Sequence, residues 1–127
     1  MKVLLDTHAL LWWVGDAAKL SRRARELIER QDSSVLVSAA TAWEIAIKSA
    51  AGKLDAGPLV SDFRGELLEE GFEELAITSD HAVRAGLLPG PLKDPFDRML
   101  IAQAQAENAA LVSNERRFDR YGVQRIW

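Results

Sequence analysis

Short apolar runs alternate with longer stretches of helical spacing along this chain. Lys2 to Leu5 reads as a buried strand ended by Asp6, and Thr7 to Val14 as a helix packed on it by Leu10, Leu11 and Trp12 or Trp13. Ser21 suits an N-cap, and a helix from Arg22 to about Gln31 would bury Ala24, Leu27 and Ile28. Asp32-Ser33-Ser34 is a turn signal before a second strand, Val35-Leu36-Val37. From Ser38 to Ala51 the spacing is helical and apolar on nearly every side, with Gly52 as the expected C-cap. Pro58 opens a helix carrying Leu59, Val60, Phe63, Leu67 and Leu68 to near Gly71. Leu75-Ala76-Ile77 is a third strand, and Ser79 or Asp80 is expected to cap a helix holding Ala82, Val83 and Ala85.

Gly86 to Pro91, broken by Gly86, Pro89, Gly90 and Pro91, is a loop and not a domain linker. Asp94 then suits an N-cap and Pro95 the first helical position, so a helix runs on to Asn108. Leu111-Val112 makes a fourth strand, Asn114 to Tyr121 a short helix, and Val123 to Trp127 a last strand. Strands and helices in this alternation predict an α/β fold, a mostly parallel central sheet covered by helices on both faces. The ligand site of such a sheet lies beyond the carboxyl ends of its strands. Asp6 and Ser113-Asn114-Glu115 stand at two of those ends.

At 127 residues the chain fits one domain, residues 1–127, with no internal repeat or low-complexity tract. The absence of cysteine excludes disulfides and thiolate zinc sites and fits a reducing cytoplasm. Asp6 interrupts the first apolar run before it can become a signal-peptide core, and the longest later one, Ala9 to Val14, is too short to span a bilayer. No membrane role is expected.

The net charge of -3 disfavours a nucleic-acid ligand until its distribution is read. Acid gathers between Asp62 and Asp80; base gathers at Arg22, Arg23, Arg25 and Arg30, and again at Arg116, Arg117, Arg120 and Arg125. A polyanion could approach either basic region and avoid the acidic one.

Four acids stand where chemistry is expected: Asp6, Glu44, Asp97 and Glu115. Each has an ordinary structural role open to it. Asp6 suits an N-cap. Glu44, the one acid in a long apolar helix, suits a surface pair with Lys48. Asp97, three residues after Asp94, can complete a capping box. Glu115 can favour the positive end of the last helix. Brought together, such carboxylates repel by about 3 kcal/mol per pair at an effective dielectric near 20, which calls for a cation or raised pKa values.

The motifs Leu4-Leu5-Asp6-Thr7-His8-Ala9-Leu10-Leu11-Trp12, Ser38 to Lys48 around Trp43-Glu44-Ile45, Lys93-Asp94-Pro95-Phe96-Asp97-Arg98 and Leu111-Val112-Ser113-Asn114-Glu115 occur in the order found in the PIN-domain family. Over its whole length the chain resembles that family, and within it the VapC-type toxins of bacterial toxin-antitoxin pairs. The resemblance implies a PIN-like α/β/α sandwich and a metal-dependent endoribonuclease in which Asp6, Glu44 and Asp97 are metal-binding acids. Glu115 falls where members usually carry an aspartate, with Ser113 as the hydroxyl residue before it. A small antitoxin partner and a homodimer are implied by the resemblance alone.

Hard oxygen ligands suit Mg²⁺ or Mn²⁺ better than zinc. Ser113, Arg98, Arg116 and Arg117 are candidates for contacting the RNA backbone. His8 and His81 are too isolated in sequence for a zinc cage, so core or capping roles are expected. There is no Gly-x-Ser-x-Gly, phosphate loop or dinucleotide fingerprint. For Trp12, Trp13, Trp43 and Trp127, core or subunit contact is favoured over base stacking. Two other readings stay open: a phosphoaspartate enzyme with Asp6 as nucleophile, although His8 stands where a second acid is common, and a non-catalytic binding module.

Overall fold

The computed structural model describes all residues, 1–127. Its elements run β1 (Lys2–Leu5), α1 (Thr7–Gly15), α2 (Arg22–Glu29), β2 (Ser34–Ser38), α3 (Ala39–Ala50), α4 (Pro58–Ser61), α5 (Phe63–Glu69), β3 (Glu73–Leu75), α6 (Ser79–Leu87), α7 (Pro95–Glu107), β4 (Ala110–Val112) and β5 (Arg125–Ile126). Single 3₁₀ turns cover Ala17–Lys19 and Arg116–Tyr121. The five strands form one sheet in the order β3-β2-β1-β4-β5, with every neighbouring pair parallel. Strand order reverses between β1 and β4, and an open parallel sheet has its crevice at that point.

Alternation along the strands divides the core in two. Val3, Leu5, Val35, Val37 and Val112 face one layer, packed by Ala9 and Leu10 of α1, Ala24 and Ile28 of α2, and Leu67 and Phe72. Leu4, Leu36 and Leu111 face the other, packed by Leu100, Ile101 and Ala104 of α7 and by Phe118. Because helices cover both faces, the central strands are apolar at successive positions, which explains why the runs around Leu4 and Leu111 could be read as strands. The result is an α/β/α sandwich.

Four expectations shift. The third strand is Glu73–Leu75 and not Leu75–Ile77. As an edge strand pairing only with β2, it tolerates the exposed Glu73 and Glu74, which also discourage pairing with another chain; Phe72 supplies the buried ring. Thr78, not Ser79 or Asp80, caps α6, because His81 closes a reciprocal box by accepting the Thr78 N–H on Nδ1 at 3.1 Å. The single helix expected from Pro58 is two, divided at Asp62, which leaves helical backbone (φ -152°) and accepts the Gly65 N–H at 3.2 Å. The helix α3 is not apolar-buried all round: Ala40, Thr41 and Ile45 are buried, while Trp43 and Ile47 are exposed.

Leu111 is fully buried where β4 meets α7. Leu111→Ala is expected to cost about 2–5 kcal/mol, read as a lowered urea midpoint with an unchanged slope.

Candidate active site

The end of each strand at the crevice is fixed by main-chain bonding before any side chain acts. Asp6 donates its N–H to Val112 O at 3.1 Å, which ties the end of β1 to the end of β4. Its Oδ1 accepts the Ala9 N–H at 2.7 Å, capping α1. The cap role is therefore real, and the other carboxylate oxygen remains for the crevice. Ser38 likewise caps α3 and so sets the angle at which Glu44 is presented, and Asp94 caps α7 through the Asp97 N–H at 3.0 Å. Asp97 returns no bond to the cap; its side chain faces the crevice instead.

A cleft of about 430 Å³ results, and Asp6, Glu44, Asp97 and Glu115 all line it, joined by Asp94. Carboxylates that are distant in sequence thus share one pocket. Burial raises the Asp6 pKa most, with Ser113 and the Ala9 N–H opposing it and Glu44 adding to it. Asp97 is pushed up to about 7, first by desolvation, then by the charges of Asp94, Glu44 and Asp6. Burial and neighbouring negative charge both disfavour the ionised form of a carboxyl group.

The remaining acids are turned to nearby cations. Glu44 accepts from Thr7 Oγ1 at 2.5 Å and from Lys48 Nζ at 2.8 Å, so the i,i+4 pair forms within the cleft lining. Glu115 is held by Arg117 through both oxygens at 3.0 Å and also caps the turn that follows, accepting the Arg117 N–H at 3.1 Å. Accordingly no three acidic or imidazole side chains stand together as a ready-made metal cage. The donor set still suits a hard divalent cation, with five carboxylates in the lining against one imidazole.

The other expected site residues fall in different places. Ser113 is fully buried and its Oγ accepts the Glu115 N–H at 2.9 Å, so it shapes the β4 end and does not meet solvent. Arg98 does not line the cleft: its guanidinium donates to the carbonyls of Leu88 (2.6 Å), Leu92 (2.8 Å), Ala85 (3.2 Å) and Gly86 (3.4 Å), binding the loop before α7. Carbonyls at the end of α6 and in the loop that follows hold this side chain away from the cleft. Arg116 is exposed and outside the lining, while Arg117 is part of it.

Thr7, His8, Lys48 and Asn114 also line the cleft, beyond the residues expected there from the sequence. Their adjacency to Asp6 and Glu115, and the i+4 spacing of Lys48, were the available signals. His8 is neither core nor cap; it is exposed with its ring 5.4 Å from that of Trp12. His81 does take the capping role, buried beneath Thr78.

With this geometry in place, the comparisons with known proteins have a structural meaning. The PIN domain family model matches residues 3–124, and the chain belongs to that family. It is 32% identical over 117 residues to Ribonuclease VapC22 of Mycobacterium tuberculosis, a match spanning 91% of this chain and 88% of the relative. Among solved structures it resembles VapBC2 from Rickettsia felis bound to a promoter DNA fragment (TM-score 0.72, 15% identity, 99% of this chain and 98% of the other). It also resembles VapBC-1 from nontypeable Haemophilus influenzae (TM-score 0.67, 19% identity, 99% and 97%). These two likenesses bear on the fold.

A raised carboxyl pKa means the folded state holds its proton more tightly than the unfolded chain. The contribution of Asp97 to stability is therefore fully present below pH about 4 and is lost as pH rises to about 7. In chelator, Asp97→Asn is expected to raise the melting temperature at pH 8 and leave it nearly unchanged at pH 4; equal shifts at both pH values would contradict this. Arg98→Ala should lower stability by about 1.5–3 kcal/mol at either pH, as expected for lost bonds from a charged donor, measured by urea unfolding.

Proposed function

We propose that this PIN-family chain is a metal-dependent endoribonuclease acting in the cytoplasm as a single domain, the toxin of a toxin-antitoxin pair. The observation that carries the reading is the cleft at the β1/β4 switch point, which Asp6, Glu44 and Asp97 line together. The ribonuclease activity named for the Mycobacterium tuberculosis relative supports it.

Asp6, Glu44 and Asp97 are the residues to hold Mg²⁺ or Mn²⁺, with Glu115 at the same cleft. Such a cation supplies an activated water and charge stabilisation on a phosphodiester. The chain's own residues do the rest. Ala9 N–H and Ser113 keep Asp6 at the strand end, and Thr7 holds one Glu44 oxygen. Lys48 and Arg117 line the cleft from two different elements and can each meet a phosphate, while the uncompensated acids repel RNA as long as the cation is missing.

A small antitoxin bearing Arg or Lys would neutralise the same acids. The VapBC complexes and a toxin-antitoxin complex from Klebsiella pneumoniae, of similar fold, support such a partner. A homodimer draws support from an apolar hollow lined by Trp43, Ile77, Phe96 and Met99, where Trp43 is 60% exposed and packs edge-on to Phe96 at 5.1 Å. No helix is long and apolar enough to cross a membrane. A second reading, a non-catalytic module, is favoured by one observation: Glu44 and Glu115 already have protein cations as partners.

Incubating mixed cellular RNA with the protein in Mg²⁺, Mn²⁺ or chelator decides between them. Cleavage should require the metal and fall at least about 100-fold in Asp6→Asn and Asp97→Asn. Equal cleavage by all three proteins would mark a contaminant, and metal binding without cleavage would favour the module.

A further inference from the structure

The bond between Glu115 and Arg117 has more structure than a surface ion pair requires. Both carboxylate oxygens are occupied by the guanidinium fork, Nε to Oε1 and Nη2 to Oε2 at 3.0 Å each, and Oε1 also accepts the Arg117 backbone N–H at 3.1 Å. Three bonds between residues two apart lock the side chain of Arg117 over its own turn, and a bidentate Arg–carboxylate pair has fixed planar geometry. A cation ligated by Glu115 would have to share these oxygens with the fork.

Arg117 also stands at a boundary. It lines the acidic cleft and, at the same time, a neighbouring hollow of about 330 Å³ formed with Pro91, Leu92, Arg120 and Tyr121. The charges of Asp97 and Asp94 act on its guanidinium, which puts it within their field. Its Nη1 makes no hydrogen bond within the protein. Tyr121 is itself fixed, its hydroxyl accepting the Leu92 N–H at 3.1 Å, so the hollow has one rigid wall and two arginines. A strand of RNA leaving the acids on this side meets a guanidinium already oriented and then a second one.

We propose that Glu115 is not a metal ligand in this chain but the positioning residue of Arg117, whose guanidinium receives the RNA phosphate that passes from the acidic cleft into the Arg120–Tyr121 hollow. The proposal rests on the nuclease reading and reassigns one of its four acids. It also accounts for the glutamate. The side chain must span to the fork of a residue two positions on while capping the turn, and an aspartate is one methylene shorter.

The test separates metal from RNA. Mn²⁺ affinity of the RNA-free protein, measured by calorimetry, should stay within about twofold of the unaltered chain in Glu115→Gln and Glu115→Asp and fall about tenfold or more in Asp97→Asn. KM for RNA should rise about tenfold in Glu115→Gln, in Glu115→Asp and in Arg117→Gln, a single lost charge-assisted contact, with a smaller change in kcat. The Glu115→Gln/Arg117→Gln double variant should be no worse than either single one, since the two act as a unit. Thermal melts verify that each variant folds. A tenfold loss of Mn²⁺ affinity in Glu115→Gln, rescued by Glu115→Asp, would overturn the assignment and restore Glu115 as a ligand. Absence of Mn²⁺ binding by the unaltered protein would overturn the nuclease reading itself, and this inference with it.

Discussion

Like charges forced together by the backbone are the constraint around which this molecule is arranged. Asp6 cannot retreat from the crevice, because its N–H is bonded to Val112 O and its carboxylate to Ala9 N–H. Asp97 cannot retreat because it sits in the first turn of α7, whose start is set by Asp94 and Pro95. Two strands and two helices, each stabilised by its own packing, thus impose a cluster of acids that electrostatics alone would disperse. The energy comes from the two apolar layers, and the acids express it as raised pKa values.

How the chain relieves that repulsion differs from acid to acid. Asp6 and Asp97 shift toward their protonated forms. Glu44 and Glu115 pair with Lys48 and Arg117. Both pairs line the same cleft, so its wall carries basic as well as acidic side chains.

The arginines show how position decides role. Arg98 and Arg117 carry the same group, yet the first is drawn inward by carbonyls of the last turn of α6 and of the loop that follows it, and the second is held outward by one carboxylate. Carbonyls of Leu88 and Leu92, outside any regular element, gain a donor from Arg98. Arg98 therefore supports the loop that leads into α7, and through it the placement of Asp97.

Much of the fold was legible from residue pattern. Apolar runs flanked by turn residues located β1, β2 and β4, and Asp94-Pro95 located the start of α7, because these signals are local and act through backbone conformation. The four acids each had an ordinary structural role open in the sequence, and what set them apart together was the order of motifs resembling the PIN-domain family; the structure lines one cleft with all four. What the residue order did not contain was the partner of each side chain. Glu73 and Glu74 became an edge strand through pairing with β2, His8 came to rest in the cleft, Arg98 turned to the loop and Glu115 to Arg117. Those outcomes depend on distances between elements far apart in sequence. They are set only when the strand order β3-β2-β1-β4-β5 closes and desolvation begins to select which charges are paired.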